Sequence, residues 1–225
     1  MDRPLQYARS MRIVAISDTH ERHEDLVLPE GDVLVHAGDL TWVGDMAAIE
    51  RVADWFERQP FRYLVCIAGN HDWCFARPGQ HAWAERILRE RGVIYLRDSS
   101  AILDGVKFYG SPWQPEFYNW AFNLPRGGEQ LKARWAAIPD DTNVLLTHGP
   151  PKGLGDFVPR GESTGCEHLL ARALRLEHMK AHIFGHIHPG YGSYGHLSRP
   201  DVQFVNACTY ADSDGPLNPP IVVDV

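Results

Sequence analysis

Seven short apolar, largely β-branched runs recur along the chain, at 12–17, 32–37, 63–68, 143–147, 180–184, 202–206 and 221–225, and five are followed at once by Asp, Asn or His. Runs of this length bounded by turn residues predict buried strands. Between them the apolar spacing switches to a helical period, at Ile49, Val52, Ala53 and Phe56, at Trp83, Ile87 and Leu88, at Leu131, Trp135 and Ile138, and at Leu169, Leu170, Ala173 and Leu174. Gly92 and Pro139 stand where the second and third of these helices should stop. In the middle, Asp104-Gly105 separates two apolar runs within 101–109, a signal for a type I′ hairpin. Crossover units with an antiparallel insert predict an α/β chain with two mixed sheets packed face to face and flanked by helices, a four-layer sandwich.

With 225 residues, 44% of them hydrophobic, the chain can bury a full core. No linker, repeat or low-complexity tract divides it, so one domain over 1–225 is expected. The net charge of -7 argues against duplex nucleic acid or an anionic membrane as partner. The polar N-terminus carries no apolar leader, and no apolar run approaches the roughly 20 residues that span a bilayer, so a cytoplasmic protein is expected. The four cysteines, Cys66, Cys74, Cys166 and Cys208, lack any C-x-x-C spacing and read as reduced thiols.

The polar residues at the strand tips are Asp18 and His20, then Gly38-Asp39, Gly69-Asn70-His71-Asp72, Thr147-His148 and Gly185-His186-Ile187-His188. Ligands of α/β sheets bind beyond the carboxyl ends of strands, so these side chains are expected on one rim. If the backbone stays extended, the i, i+2 spacing puts Asp18 with His20, and His186 with His188, on the same side. A lone His is more often a core or surface residue than a ligand; five such motifs in order are harder to dismiss.

The ordered set D-x-H, G-D, G-N-H-D, T-H and G-H-x-H, spanning Asp18 to His188, resembles the calcineurin-like metallophosphoesterase superfamily. The segments 146–151, 184–192 and 218–222 are similar to its metallophosphoesterase-domain branch, near the class III cyclic-nucleotide phosphodiesterases. The resemblance implies that Asp18, His20, Asp39 and His188 hold one divalent ion and Asp39, Asn70, His148 and His186 a second, with Asp39 as the bridge. Such a pair clamps the attacking and leaving oxygens of an in-line displacement, here attack of a metal-bridging hydroxide on phosphorus. Mixed carboxylate, amide and imidazole donors favour Mn²⁺, with Fe²⁺ or Zn²⁺ as further choices. His71 is implied as the group that protonates the leaving oxygen. Asp72 either orients that imidazole or caps its loop. Trp42 stands where purple acid phosphatases place a tyrosine ligand, which disfavours a ferric centre.

Five aromatics crowd 113–122, followed by Asn123 and Arg126. Trp120 is a candidate base-stacking surface, with Asn70, Asn123, Arg126 and Tyr191 as polar substrate contacts; packing over the sheet edge or a subunit contact is the competing account. His36 and His182, inside strands, read as core histidines, with a hydrogen bond behind a ligand as the alternative. The expected function is hydrolysis of a small phosphodiester such as a cyclic nucleotide by a monomer or homodimer. The alternatives are a phosphomonoesterase on nucleotides or phosphoproteins and a non-catalytic metal-binding docking module; a nuclease is disfavoured by the acidic charge.

Overall fold

A computed structural model describes residues 10–211 and 215–225; the stretch 1–9 of the polar N-terminus lies outside them. The first sheet is built from β1 (Arg12–Ile16), β2 (Val33–His36), β3 (Tyr63–Cys66) and β4 (Val93–Tyr95), all parallel, with the C-terminal strand antiparallel beside β1. Next in the chain, β5 (Ser99–Leu103) and β6 (Val106–Ser111) form the expected hairpin. Asp104 and Gly105 at its tip have φ of 47° and 86°, the double left-handed geometry of a type I′ turn. Two short strands, β7 (Gln114–Pro115) and β8 (Asn123–Leu124), pair within the aromatic segment. There follow β9 (Val144–Thr147), a two-residue-per-strand hairpin of β10 (Phe157–Val158) and β11 (Glu162–Ser163), β12 (Ala181–Phe184), β13 (Gly192–His196), β14 (Arg199–Asn206) and β15 (Ile221–Asp224). The second sheet has the order β13-β14-β12-β9-β6-β5, with β6, β9, β12 and β14 parallel.

Strand alternation explains how the sheets stack. Val33 and Val35 of β2 join Val65, Ile67, Leu146, Ile183 and Val205 in the core between the sheets. Leu34, one residue out of phase, faces away and packs with Ile49, Phe56 and Leu88 of α1 (Met46–Glu57) and α3 (His81–Glu90). On the opposite outer face Leu145, Phe184 and Phe204 meet Leu131, Trp135 and Leu169 of α4 (Glu129–Ala136) and α5 (Glu167–Ala173). The layers are therefore helix, sheet, sheet, helix, as expected. The short helix α2 (Trp73–Ala76), which follows the G-N-H-D motif directly, was not legible in the apolar spacing. Trp83 is a correction: it is 49% exposed, and Ala84 takes the buried position of α3. Among the described residues no helix is long and apolar enough to cross a membrane. All four cysteines are free and buried.

Candidate metal centre and the cavity beside it

The parallel strands of both sheets end at one rim, and the motif residues stand in the loops just past β1, β2, β3, β9 and β12. The backbone there is not extended: Asp18, His20, Asp39 and His186 have φ of 53°, 43°, 56° and 67°. Left-handed backbone at non-glycine residues costs on the order of 1–3 kcal/mol each and persists where the surroundings demand it. This corrects the i, i+2 reasoning. Asp18 clusters with His188 and Cys208, His20 with Asp39 and His71, and Asp39 again with His148 and His186. These left-handed turns, not strand alternation, aim the donors. The motif glycines are required by close approach: a Cβ on Gly69 would sit 2.2 Å from Asp39 Oδ1, and one on Gly185 would sit 2.1 Å from Asp18 Oδ2.

Asp39 Oδ2 is the common point, 3.4 Å from His148 Nε2, 3.8 Å from His20 Nε2 and 3.9 Å from His71 Nε2. Asn70 Oδ1 is 2.9 Å from His148 Nε2, and His188 Nε2 is 3.6 Å from Asp18 Oδ1. The far ring nitrogens are held by backbone: His148 Nδ1 is 3.0 Å from the Ala37 carbonyl and His20 Nδ1 is 3.2 Å from that of Thr41. Such bonds aim the opposite nitrogen into the site, as in metal-ligating histidines. His20 Nε2 is buried and makes no hydrogen bond, so a buried acceptor stands open beside a carboxylate. That orphan, together with the carboxylate and imidazole donors, fits divalent metal ions.

Protonation follows from crowding. Burial would raise the Asp39 carboxyl, but the imidazoles of His148 and His20 outweigh it and hold it well below the usual range. Burial opposes charge on His148 too, yet Asp39 lifts it to about 9. His186 is pushed down to about 3 by burial and by its neighbour His148.

Of the two roles open to Asp72, its hydrogen bonds fit the one within the loops. It is fully buried and does not touch the His71 ring: its oxygens accept from the backbone of Leu40 at 3.1 Å, Thr41 at 2.9 Å and Gly69 at 2.8 Å, and from the Thr41 hydroxyl at 2.9 Å. It ties the Asp39 loop to the Asn70 loop. The His71 ring is oriented instead by Nδ1 against the Trp42 carbonyl at 2.7 Å, and it stacks on Trp120 at 4.1 Å.

A cavity of about 900 Å³ opens beside the cluster, lined by Asp39, Asn70, His71, His186 and His188 and walled by Phe117, Tyr118 and Trp120. The aromatic segment thus divides: Ala121 and Phe122 are core with Trp113 against them, while Phe117 and Tyr118 are exposed. Arg126 lines the cavity, its guanidinium donating to the carbonyls of Gly165 and Thr164 at 3.1 and 2.8 Å. Asn123 and Tyr191, expected as substrate contacts, are turned elsewhere. The Asn123 amide bonds Gln114 and the carbonyls of Phe117 and Tyr118, and the Tyr191 hydroxyl donates to the Pro219 carbonyl at 2.9 Å. His36 and His182 are buried and bond Thr19 and Thr147 at 2.9 and 2.8 Å, each threonine adjoining a motif residue.

The chain matches the calcineurin-like phosphoesterase family over residues 11–190. It belongs to that family. Human metallophosphoesterase domain-containing protein 1 is 38% identical over 236 residues, covering 95% of this chain and 71% of that protein. The UPF0046 protein T07D4.2 of Caenorhabditis elegans is 34% identical, covering 99% of this chain and 65% of its own. The crystal structure of TT1561 of Thermus thermophilus shares the fold, with a TM-score of 0.59 at 15% identity over 88% of each chain. Membership carries metal-dependent hydrolysis of phosphoric esters and implies divalent ions at the calcineurin-like site.

Of two further neighbours of that site, Trp42 was placed there by the sequence only as a non-ligand, and Cys208 was missed. Trp42 stacks on His20 at 4.4 Å besides holding His71, and it lies in the loop of the Gly38-Asp39 motif. Cys208 lies just past β14, where the strand-tip rule would have found it had thiols not been judged only by their spacing. Burial pushes its thiol well up, with the charge of Asp18 adding to the effect.

Proposed function

We propose that this calcineurin-like phosphoesterase is a dinuclear metal-dependent phosphodiesterase acting on a small diester such as a cyclic nucleotide. The observation that carries the reading is the Asp39 carboxylate, shared by the His20 and His71 group and the His148 and His186 group, at the edge of a cavity of about 900 Å³. Asp18, His20, Asp39 and His188 would hold one ion and Asp39, Asn70, His148 and His186 the other, with Mn²⁺ favoured and Fe²⁺ or Zn²⁺ also suited to these donors. Bound there, the ions would neutralise phosphoryl charge and lower the pKa of a coordinated water toward neutrality.

The chain's own groups supply the rest. With Nδ1–H donated to the Trp42 carbonyl, His71 presents Nε2 to the site, the atom from which a proton passes to the departing ester oxygen. Trp120, stacked on that ring, keeps it from rotating and offers a face to a nucleobase. A phosphomonoester needs space on one side of phosphorus only; the aromatic wall of Phe117, Tyr118 and Trp120 gives a second substituent somewhere to lie. The test is hydrolysis of bis(p-nitrophenyl) phosphate against p-nitrophenyl phosphate, after chelation and after adding back Mn²⁺. Metal-restored preference for the diester is the expected result. Preference for the monoester moves the protein to the phosphatases, and metal uptake without turnover makes it a docking module.

A further inference from the structure

In a chain of net charge -7, most described arginines sit within 4.0 Å of a carboxylate, as Arg51 does with Glu21 and Arg91 with Asp54. Arg126, Lys152 and Arg160 are among the described cations without an ion pair, as Arg77, Arg89, Arg97, Arg175 and Lys180 also are, but these three line the same cavity as the histidine cluster. Arg126 is held by carbonyls, and Lys152 Nζ donates to the Ser163 carbonyl at 2.6 Å. Carbonyls fix a cation without neutralising it. Arg160, exposed at the turn between β10 and β11, makes no ion pair or hydrogen bond among the described residues.

The hairpin that carries Arg160 is braced from below. Buried Asp156 accepts from the backbone of Gly153 and Gly165, each at 2.9 Å, and from the Ser163 hydroxyl, so its carboxylate is spent on the loop. Glu162 and Glu167 also line the cavity, but neither lies within ion-pair distance of the three cations, and the third lining carboxylate, Asp39, is engaged with the histidine cluster.

We propose that these cations form a second anion subsite, so that the substrate carries a further phosphate or carboxylate besides the phosphorus placed at the Asp39 cluster. The inference deepens the diesterase reading and rests on it for the position of that phosphorus. The ligand class is then a nucleotide with two separated anionic groups, its base against the aromatic wall that lines the same cavity.

The probes are thymidine 5′-monophosphate and thymidine 3′,5′-bisphosphate, titrated calorimetrically into the Mn²⁺-loaded full chain. The bisphosphate is expected to bind about tenfold tighter at low salt, the worth of one charge-assisted hydrogen bond. In Arg160→Gln that ratio falls, and with Lys152→Gln added it approaches one; Arg160 is exposed and unpaired, so its replacement costs the fold nothing. Equal affinities in the wild type, no binding of either nucleotide, or a preference that survives both substitutions overturns the subsite. Turnover of bis(p-nitrophenyl) phosphate by the same preparation reports on the diesterase reading separately: a retained bisphosphate preference without diester turnover sinks that reading and keeps the subsite.

Discussion

His71 and His186 are both motif histidines beside Asp39, but their surroundings give them different work. His71 is held by Trp42 and Trp120; His186, half-buried like it and also facing the cavity, packs its ring against His148 with centroids 5.0 Å apart. Replacing His71 by Ala is expected to lower kcat by about 10²–10⁴-fold with metal content intact, the usual worth of a positioned acid. Replacing His186 by Ala should instead reduce bound metal, read by elemental analysis of the two variants side by side; unchanged metal in the second would remove it from the ligand set. Asp72 belongs to a third class. Because it accepts four hydrogen bonds from two loops, Asp72→Asn is expected to destabilise the fold by about 2–3 kcal/mol through mismatched donors. Chemical denaturation would show it, and a loss of kcat at unchanged stability would restore the role of orienting His71.

At the scale of elements, periodicity was a good guide wherever one face of a strand or helix is buried. The seven expected runs are all strands, and the four helical periods all lie at helices α1, α3, α4 and α5. It failed at Trp83, since a spacing cannot tell a large apolar residue on the rim of the stripe from a small one at its centre. It was silent on β7, β8, β10 and β11, which have two residues each and exist through tertiary pairing alone. Two glycines separate turn chemistry from site chemistry. Gly105 has φ of +86° with open space around it, so Gly105→Ala is expected to cost about 1 kcal/mol of backbone strain and nothing in metal binding. A Cβ at Gly69 would press on Asp39 within 2.3 Å at both Oδ1 and the backbone N, so Gly69→Ala should cost metal occupancy before stability. Thermal melts with metal analysis on both variants distinguish the two outcomes.

For the whole molecule, the outer faces of both sheets bury a neutral histidine. His36 and His182 are each pushed down from 6.5 to about 3, by burial first. A folded-state value below the unfolded one means no cost above pH 6.5, where both states are neutral, and a growing cost as pH falls from 6.5 toward 3, because only the unfolded chain takes up the proton. Near pH 5 the loss is about 2 kcal/mol per histidine. Denaturant midpoints of the chelated protein should therefore fall between about pH 7.5 and about pH 5, and His182→Gln should show the smaller fall. An equal fall in variant and wild type would place the acid sensitivity elsewhere.

Seven of the strands, the β5–β6 hairpin, helices α1, α3, α4 and α5 and the rim on which Asp18, Asp39, Asn70, His148 and His186 gather were determined by local pattern, since a buried strand and its terminating residue are both written in consecutive positions. Which donor meets which was decided in three dimensions. Left-handed turns at Asp18, His20, Asp39 and His186, and not alternation, set where these donors point. Packing of the two sheets brings Cys208 to Asp18, and the pairing of β2 with β3 within one sheet brings the Asp72 carboxylate to the backbone of Leu40 and Thr41. Of the three cavity cations, Lys152 and Arg160 are neighbours along the chain, and Arg126 reaches them from a separate segment. Their convergence depends on loop hydrogen bonds, from Arg126 to the carbonyls of Thr164 and Gly165 and from Lys152 to that of Ser163, and such bonds leave no periodic trace in the sequence.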